Sequence, residues 1–220
     1  MTQHKKELML FAFFITSMVL VNTIGTKIIT LFSIRVSVGI FFMPILFLVT
    51  DIIGEVKGKD EALFFVKTAT GMLIFLFVMV LLCVHVKPFE GYAYQKEYAL
   101  IFGSTLRMTL ASLISFITSQ NIDIILFDKM NEITKGKHLW IRNNASTMTS
   151  QLVDTIIFDF IAFYHVTPMF TVPFLISMII PYWLFKVLFA AFDTPFCYLG
   201  VKWLRGEAPF NKREFATVMP

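Results

Sequence analysis

The segment Ser119-Gln120-Asn121-Ile122-Asp123-Ile124-Ile125-Leu126-Phe127-Asp128 returns 31 residues later as Ser150-Gln151-Leu152-Val153-Asp154-Thr155-Ile156-Ile157-Phe158-Asp159, with six of the ten positions identical. Both copies lie in apolar runs long enough to cross a membrane. An ionised carboxylate at the centre of such a run costs roughly 3 kcal/mol on insertion scales. Groups that costly are seldom kept for packing alone, so two Gln-x-x-Asp pairs on facing helices point to a polar binding site inside the bilayer.

The rest of the chain agrees with a membrane setting. Of its 220 residues 57% are hydrophobic, 26 are Phe, and the mean hydropathy is +0.74, well outside the usual range of soluble domains. Charged residues make up 15% and gather between the apolar runs, leaving no hydrophilic block large enough for a soluble catalytic domain. Runs over 8–29, 38–54, 62–84, 106–127, 143–165 and 172–201 each approach the roughly 20 residues that a span needs. The expected fold is all-α and polytopic, with six transmembrane helices in one domain over residues 1–220. The first run exceeds a signal-peptide core and is followed by no clean cleavage site, so it reads as a span.

Orientation follows from the basic residues. Twelve Lys and Arg, from Lys5 and Lys6 to Lys212 and Arg213, fall on one side, against Lys27, Arg35, Lys87 and Lys96 on the other. Both termini are therefore expected in the cytoplasm. The net charge of +4 has its cause in this topology, and no nucleic-acid partner is implied. Cys83 and Cys197 fall toward opposite faces, which rules out a disulfide between them, and two lone Cys make no metal signature. The segment 85–104, with Tyr92, Tyr94 and Tyr98, reads as an aromatic anchor, an interfacial helix or a lid.

At 100° per residue, Thr109, Phe116, Gln120, Asp123 and Phe127 share one stripe of the fourth span, and Thr147, Gln151, Asp154, Phe158 and Ala162 share one of the fifth. Counting helical rise from the basic connection puts both Gln about 13 Å deep. The plain alternative is that the amides only join helix to helix, but buried acids mark binding sites more often than not. Asp128 and Asp159 lie off the stripes; Asp128 is at the boundary, and Asp159 is buried with no assigned role. In the second span Pro44 should bend the helix, and Asp51 and Glu55 share a face beyond it. The sixth span places Tyr182, Lys186, Phe189 and Asp193 on one stripe. Lys186 near the midplane needs a partner, which Asp154 or Asp123 would provide. Asn22 in the first span is a ligand or a helix-helix contact, whereas Arg107 and Lys67 reach from helix ends toward the surface. No Gly-rich phosphate loop, zinc motif or nucleophile elbow occurs, so neither an enzyme nor a cofactor is expected.

Three patterns together resemble the queuosine precursor transporter family, also called a vitamin uptake transporter family. They are the run from Pro44 to Gly58 with Thr50-Asp51 and Glu55; Arg107, Ser112, Gln120, Asp123 and Phe127; and Arg142, Ser146, Thr147, Gln151, Asp154, Thr155 and Phe158. Lys186 and Pro195 match the family's last helix, and Met43 departs from the Phe that many members carry there. The resemblance implies six helices in the inner (cytoplasmic) membrane and uptake of a 7-deazaguanine: 7-cyano-7-deazaguanine, 7-aminomethyl-7-deazaguanine or queuine. The residues suit such a purine-like solute: a carboxylate accepts from its N-H edge, a Gln amide or Lys186 donates to its carbonyl, and Phe127 or Phe158 can stack on the ring. Asp51 would face a cationic aminomethyl group. Proton coupling and assembly into a homo-oligomer are both compatible with the pattern, and lipid is the surrounding partner.

Two other classes fit the same chain. One is the substrate-binding membrane subunit of an ATP-driven vitamin importer, which would copurify with a separate energising module. The other is a membrane protein that transports nothing, in which Gln and Asp would tolerate apolar replacement. The expected topology is checked with reporter fusions: fluorescent protein at either terminus should fold and shine in the cytoplasm, and a periplasm-dependent phosphatase inserted near Glu90 should be active.

Overall fold

The computed structural model describes residues 1–31, 34–134, 139–192 and 194–206; within these it leaves out the side chains of Lys59, Gln120, Asp123, Ile124, Phe127, Asp128, Asn131, residues 139–144, residues 189–192 and Thr194. Seven helices carry nearly all of it: α1 (Gln3–Thr23), α2 (Met43–Lys57), α3 (Lys59–His85), α4 (Gln95–Ile133), α5 (Leu139–Phe163), α6 (Val172–Phe192) and α7 (Thr194–Arg205). Four stretches among the described residues, Gln3–Thr23, Val38–Lys57, Asp60–His85 and Gln95–Ser119, are long and apolar enough to cross a membrane, and Val172–Leu188 is a shorter apolar helix.

The elements depart from the sequence expectation at three places, each for a local reason. The first span stops at Thr23 instead of residue 29. Gly25 follows it because a Cβ there would sit 2.0 Å from the Val21 carbonyl oxygen, and the chain then turns into β1 (Ile28–Leu31) and β2 (Ile34–Ser37). This antiparallel hairpin pairs Ile28 with Ser37 and Ile29 with Val36, using β-branched residues that fit a pleated surface. Ser37 Oγ donates to the Gly25 carbonyl at 2.6 Å and locks the return. The all-α expectation thus carries a small β exception. Pro44, expected to bend the second span, instead lies in the first turn of α2 after a 3-10 turn at Val38–Phe41, where its missing N-H is harmless. The fourth helix begins at Gln95, so residues 95–104 extend it and form no separate interfacial element. The expected last span is covered by α6 and α7, on either side of residue 193, which lies outside the described residues.

Packing produces two groups. Leu10, Phe14 and Val21 of α1 join Leu46, Val49, Ile52 and Ile53 of α2, Phe65 and Ala69 of α3, and Val201 and Leu204 of α7. Met108 and Ala111 of α4, Phe158, Ala162 and Phe163 of α5, and Leu175, Met178 and Ile179 of α6 form the second group. The hairpin docks on the second through Val36, Ile40 and Tyr182. Helices α4 and α5 are the most extensively packed pair, and small residues explain it: Ala111, Ser115, Ser119, Ser146 and Ser150 are buried there and let the backbones approach, as membrane helices require when lipid offers no hydrophobic drive. The outer face of α3 is left bare, with Phe64, Phe75, Leu82 and Ile74 exposed, as suits a lipid-facing helix. The N-terminus of α1 meets the ends of α2 and α7 through the Lys57–Glu7 pair at 3.0 Å and a bond from Lys6 Nζ to the Trp203 carbonyl. Cys83 and Cys197 are not joined by a disulfide.

Gly200 sets the α2–α7 contact, since a Cβ there would fall 2.1 Å from Ile52 Cδ1. Gly200→Val should push α7 from α2 and lower the thermal midpoint in detergent, costing about 1–3 kcal/mol as overpacking does; Gly71→Ala, at an open position, is the control with no loss.

Candidate functional site

Between the two helix groups lies a cavity of about 310 Å³, walled by residues of α1, α2, α3, α4, α5 and α6. Gln151, Asp154 and Phe158 line it from α5, Tyr182 and Lys186 from α6, Asn22 from α1, and Ser112, Ser115, Phe116 and Ser119 from α4. The helical stripe read from the sequence of the fifth span therefore does face one space. Phe14, Met18, Met43, Leu46 and Phe47 supply the apolar wall opposite.

Its charged centre is an ion pair. Lys186 Nζ donates to Asp154 Oδ2 at 2.8 Å and to Thr155 Oγ1 at 3.2 Å. Lys186 is only 5% exposed and Asp154 20%. The Tyr182 ring lies 5.4 Å from the ammonium, close enough for its face to favour the charge. Of the two partners open to Lys186 on sequence grounds, Asp154 is the one it meets; the side chain of Asp123 lies outside the described residues. Trp183 Nε1 donates to the Met148 carbonyl at 3.0 Å and so ties α6 to α5 beside the pair. Pro181 inside α6 removes the N-H that would bond to the Ser177 carbonyl, loosening the backbone one turn before Lys186.

Asn22 is fully buried and accepts from Ser112 Oγ at 2.7 Å while its own amide donates to the Met18 carbonyl at 2.9 Å. Both readings of Asn22 are compatible with this: it bridges α1 to α4 and also lines the cavity. Asp51 and Glu55 are exposed and stand apart, in a separate pocket of about 420 Å³ between α2 and α7 with Cys197 and Tyr198; Thr50 alone borders both spaces. The i, i+4 face they share lines this second pocket and not the cavity that holds Lys186. Side chains of Gln120, Phe127, Phe189 and Asp193 also lie outside the described residues. Arg107, read as reaching for the surface, donates instead to the Ile161 and Tyr164 carbonyls at 2.5 Å and caps the C-terminal end of α5. The serines of α4 were not singled out as ligands, although their i, i+3, i+7 spacing was a readable signal; the apolar wall from α1 and α2 had none, being indistinguishable from core.

Residues 37–200, well over half of the chain, match the family described as "Putative vitamin uptake transporter". The chain belongs to this family. It is a multi-pass membrane protein of a transporter family, and the resemblance seen in its motifs is upheld. It is similar to a "Probable queuosine precursor transporter" of Bacillus subtilis (strain 168), 28% identical over 182 residues that cover 82% of this chain and 78% of the relative. A second protein of the same description, from Haemophilus influenzae (strain ATCC 51907 / DSM 11121 / KW20 / Rd), is 25% identical over 136 residues, 61% of this chain and 54% of that one. No solved structure matches the chain.

The ion pair makes a specific prediction for this transporter. Lys186→Met or Asp154→Leu alone strands a buried charge and should cost on the order of 3 kcal/mol. The double variant should recover most of that stability in thermal unfolding while its solute binding stays lost; equal instability of all three would show that the pair is not the cause.

Proposed function

We propose that this transporter imports a queuosine precursor, a 7-deazaguanine base such as 7-cyano- or 7-aminomethyl-7-deazaguanine or queuine, across the inner (cytoplasmic) membrane for tRNA modification. The observation that carries this reading is the cavity between the helix groups, where the Asp154 carboxylate, the Gln151 amide and aromatic rings meet. Its volume of about 310 Å³ is at the low end of the roughly 300–1,000 Å³ typical of small-molecule sites, which favours one flat base over a bulky vitamin. Asp154 offers lone pairs to the N-H edge of a guanine-like ring, Gln151 offers a donor and an acceptor to its carbonyl side, and Phe158, Phe116 and Tyr182 offer faces or edges for stacking. Gln120, Asp123 and Phe127 complete the proposed ligand set from α4, and Asn22 orients it. Asp51 and Glu55 are proposed to act from the α2–α7 pocket, on the path of the solute to or from the cavity. The names of the two relatives point the same way.

Residues 1–220 act in this proposal as one transporter domain that threads the membrane six times, through α1, α2, α3, α4, α5 and the α6–α7 pair, with both termini inside. The gathering of Lys6, Lys57 and Trp203 at one end and the basic connections support that orientation. A site between two helix groups also suits alternating access, in which one group rocks against the other around a fixed solute.

The test uses cells unable to synthesise the precursor, expressing this chain and fed each candidate base. At least one base should restore queuosine in their tRNA, and Asp154→Asn at normal expression should lower restoration at least tenfold. Failure of every base to restore the modified nucleoside would reject the reading.

A further inference from the structure

We propose that Asp159 is a proton-binding site, linked through Lys186 to the cavity carboxylate Asp154, so that solute and proton exclude one another; this rests on the transport reading above. Asp159 is 3% exposed, and its Oδ2 has no hydrogen-bond partner among the described residues. Five residues beyond Asp154, it is turned about 140° around α5 and is absent from the cavity wall. It nevertheless feels the charges of both Lys186 and Asp154. The Lys186 ammonium thus lies within electrostatic range of both carboxylates, and in this structure it is bonded to Asp154 and Thr155.

Charge balance gives the consequence. A buried ion without a partner neutralises itself in preference to staying charged. With Lys186 on Asp154, Asp159 holds a proton and the three groups sum to zero. When a solute carrying an aminomethyl cation engages Asp154, the ammonium is free to swing on its four-carbon stem to Asp159. The O-H bond of that acid then breaks, the electron pair stays on the carboxylate and the proton leaves to water. Two cations, the solute and Lys186, then face two carboxylates; the sum is again zero, and one proton has been exchanged for one singly charged solute.

The other groups facing this region leave the exchange to these three. From α6, Tyr182 feels both acids and presents its ring to the ammonium. From α4, Arg107 is occupied by the carbonyls at the end of α5, and from the hairpin Arg35 lies over the Phe174 ring. The side chains of Asp123, Asp128 and Asp193 lie outside the described residues.

Difference infrared spectroscopy of the full chain in lipid nanodiscs, wild type against Asp159→Asn, should show a protonated-carboxyl band in the solute-free wild type that the variant lacks. Adding the cationic 7-aminomethyl-7-deazaguanine should remove the band and release one proton per base bound, read with an indicator dye in weak buffer. Affinity of the wild type should then fall up to tenfold per unit as pH is lowered, whereas Asp159→Asn should bind the base with no proton release and a flat pH profile. Absence of the band, or base binding with no proton released, overturns the proposal, as does proton release that persists in the variant. If no base binds, the transport reading fails by itself, and the band still decides whether Asp159 holds a proton. Should Asp159→Asn fail to fold, the wild-type proton count decides.

Discussion

Everything polar in this molecule is arranged around the contact between Lys186 and Asp154. An ammonium that is 5% exposed has no tolerable environment in an apolar helix bundle unless a carboxylate stands beside it. That requirement sets the rotation of α6 against α5, and the Trp183 bond to the Met148 carbonyl holds the same face in place. With the rotation fixed, Tyr182 is carried to the cavity on one side and to the hairpin cluster with Val36 and Ile40 on the other. One ion pair therefore connects the site to the segment that joins the first two helices.

The surrounding architecture makes room for that pair and satisfies most of its polar neighbours, Asp159 Oδ2 excepted. Small side chains let α4 and α5 pack closely, while the two apolar clusters draw α1, α2, α3 and α7 to one side and α4, α5 and α6 to the other. The space between them stays open because its wall mixes aromatic rings with short hydroxyls. Several of those hydroxyls bond to backbone carbonyls of their own helix, as Ser115 does to Ser112 and Ser119 to Phe116, and Asn22 is held by Ser112. Polar groups satisfied in this way can face a solute without a prohibitive cost when the cavity is empty. Asp154 is the exception, because its partner is a mobile ammonium and not a backbone group.

A transporter has to exchange partners at its site in every cycle, and here one cation, Lys186, is bonded to the cavity acid Asp154 while a second acid, Asp159, is buried further along the same helix. The structure captures the pairing with Asp154, and the proposed exchange adds a second with Asp159. Membership of a vitamin uptake transporter family gives such a bistable arrangement a use, since alternation between pairings is a discrete event of the kind that can be tied to helix movement.

The chain itself already carried the membrane class, the helical fold and the stripe of Gln151, Asp154 and Phe158, because hydropathy and the 3.6-residue period act locally and survive without knowledge of neighbours. It also carried the need of Lys186 for a carboxylate, since burial of a charge is legible from its position in an apolar run. Helix ends were less legible: Gly25 and Pro44 each act through backbone contacts of a few residues, and their effect depends on which turn they occupy. What only the tertiary structure decided was partnership. Lys186 meets Asp154, Asp51 and Glu55 face a different pocket, Arg107 caps α5, and Asp159 is buried without a bond to its Oδ2, since the contacts between helices are set by rotation and packing, which no periodicity along a single helix encodes.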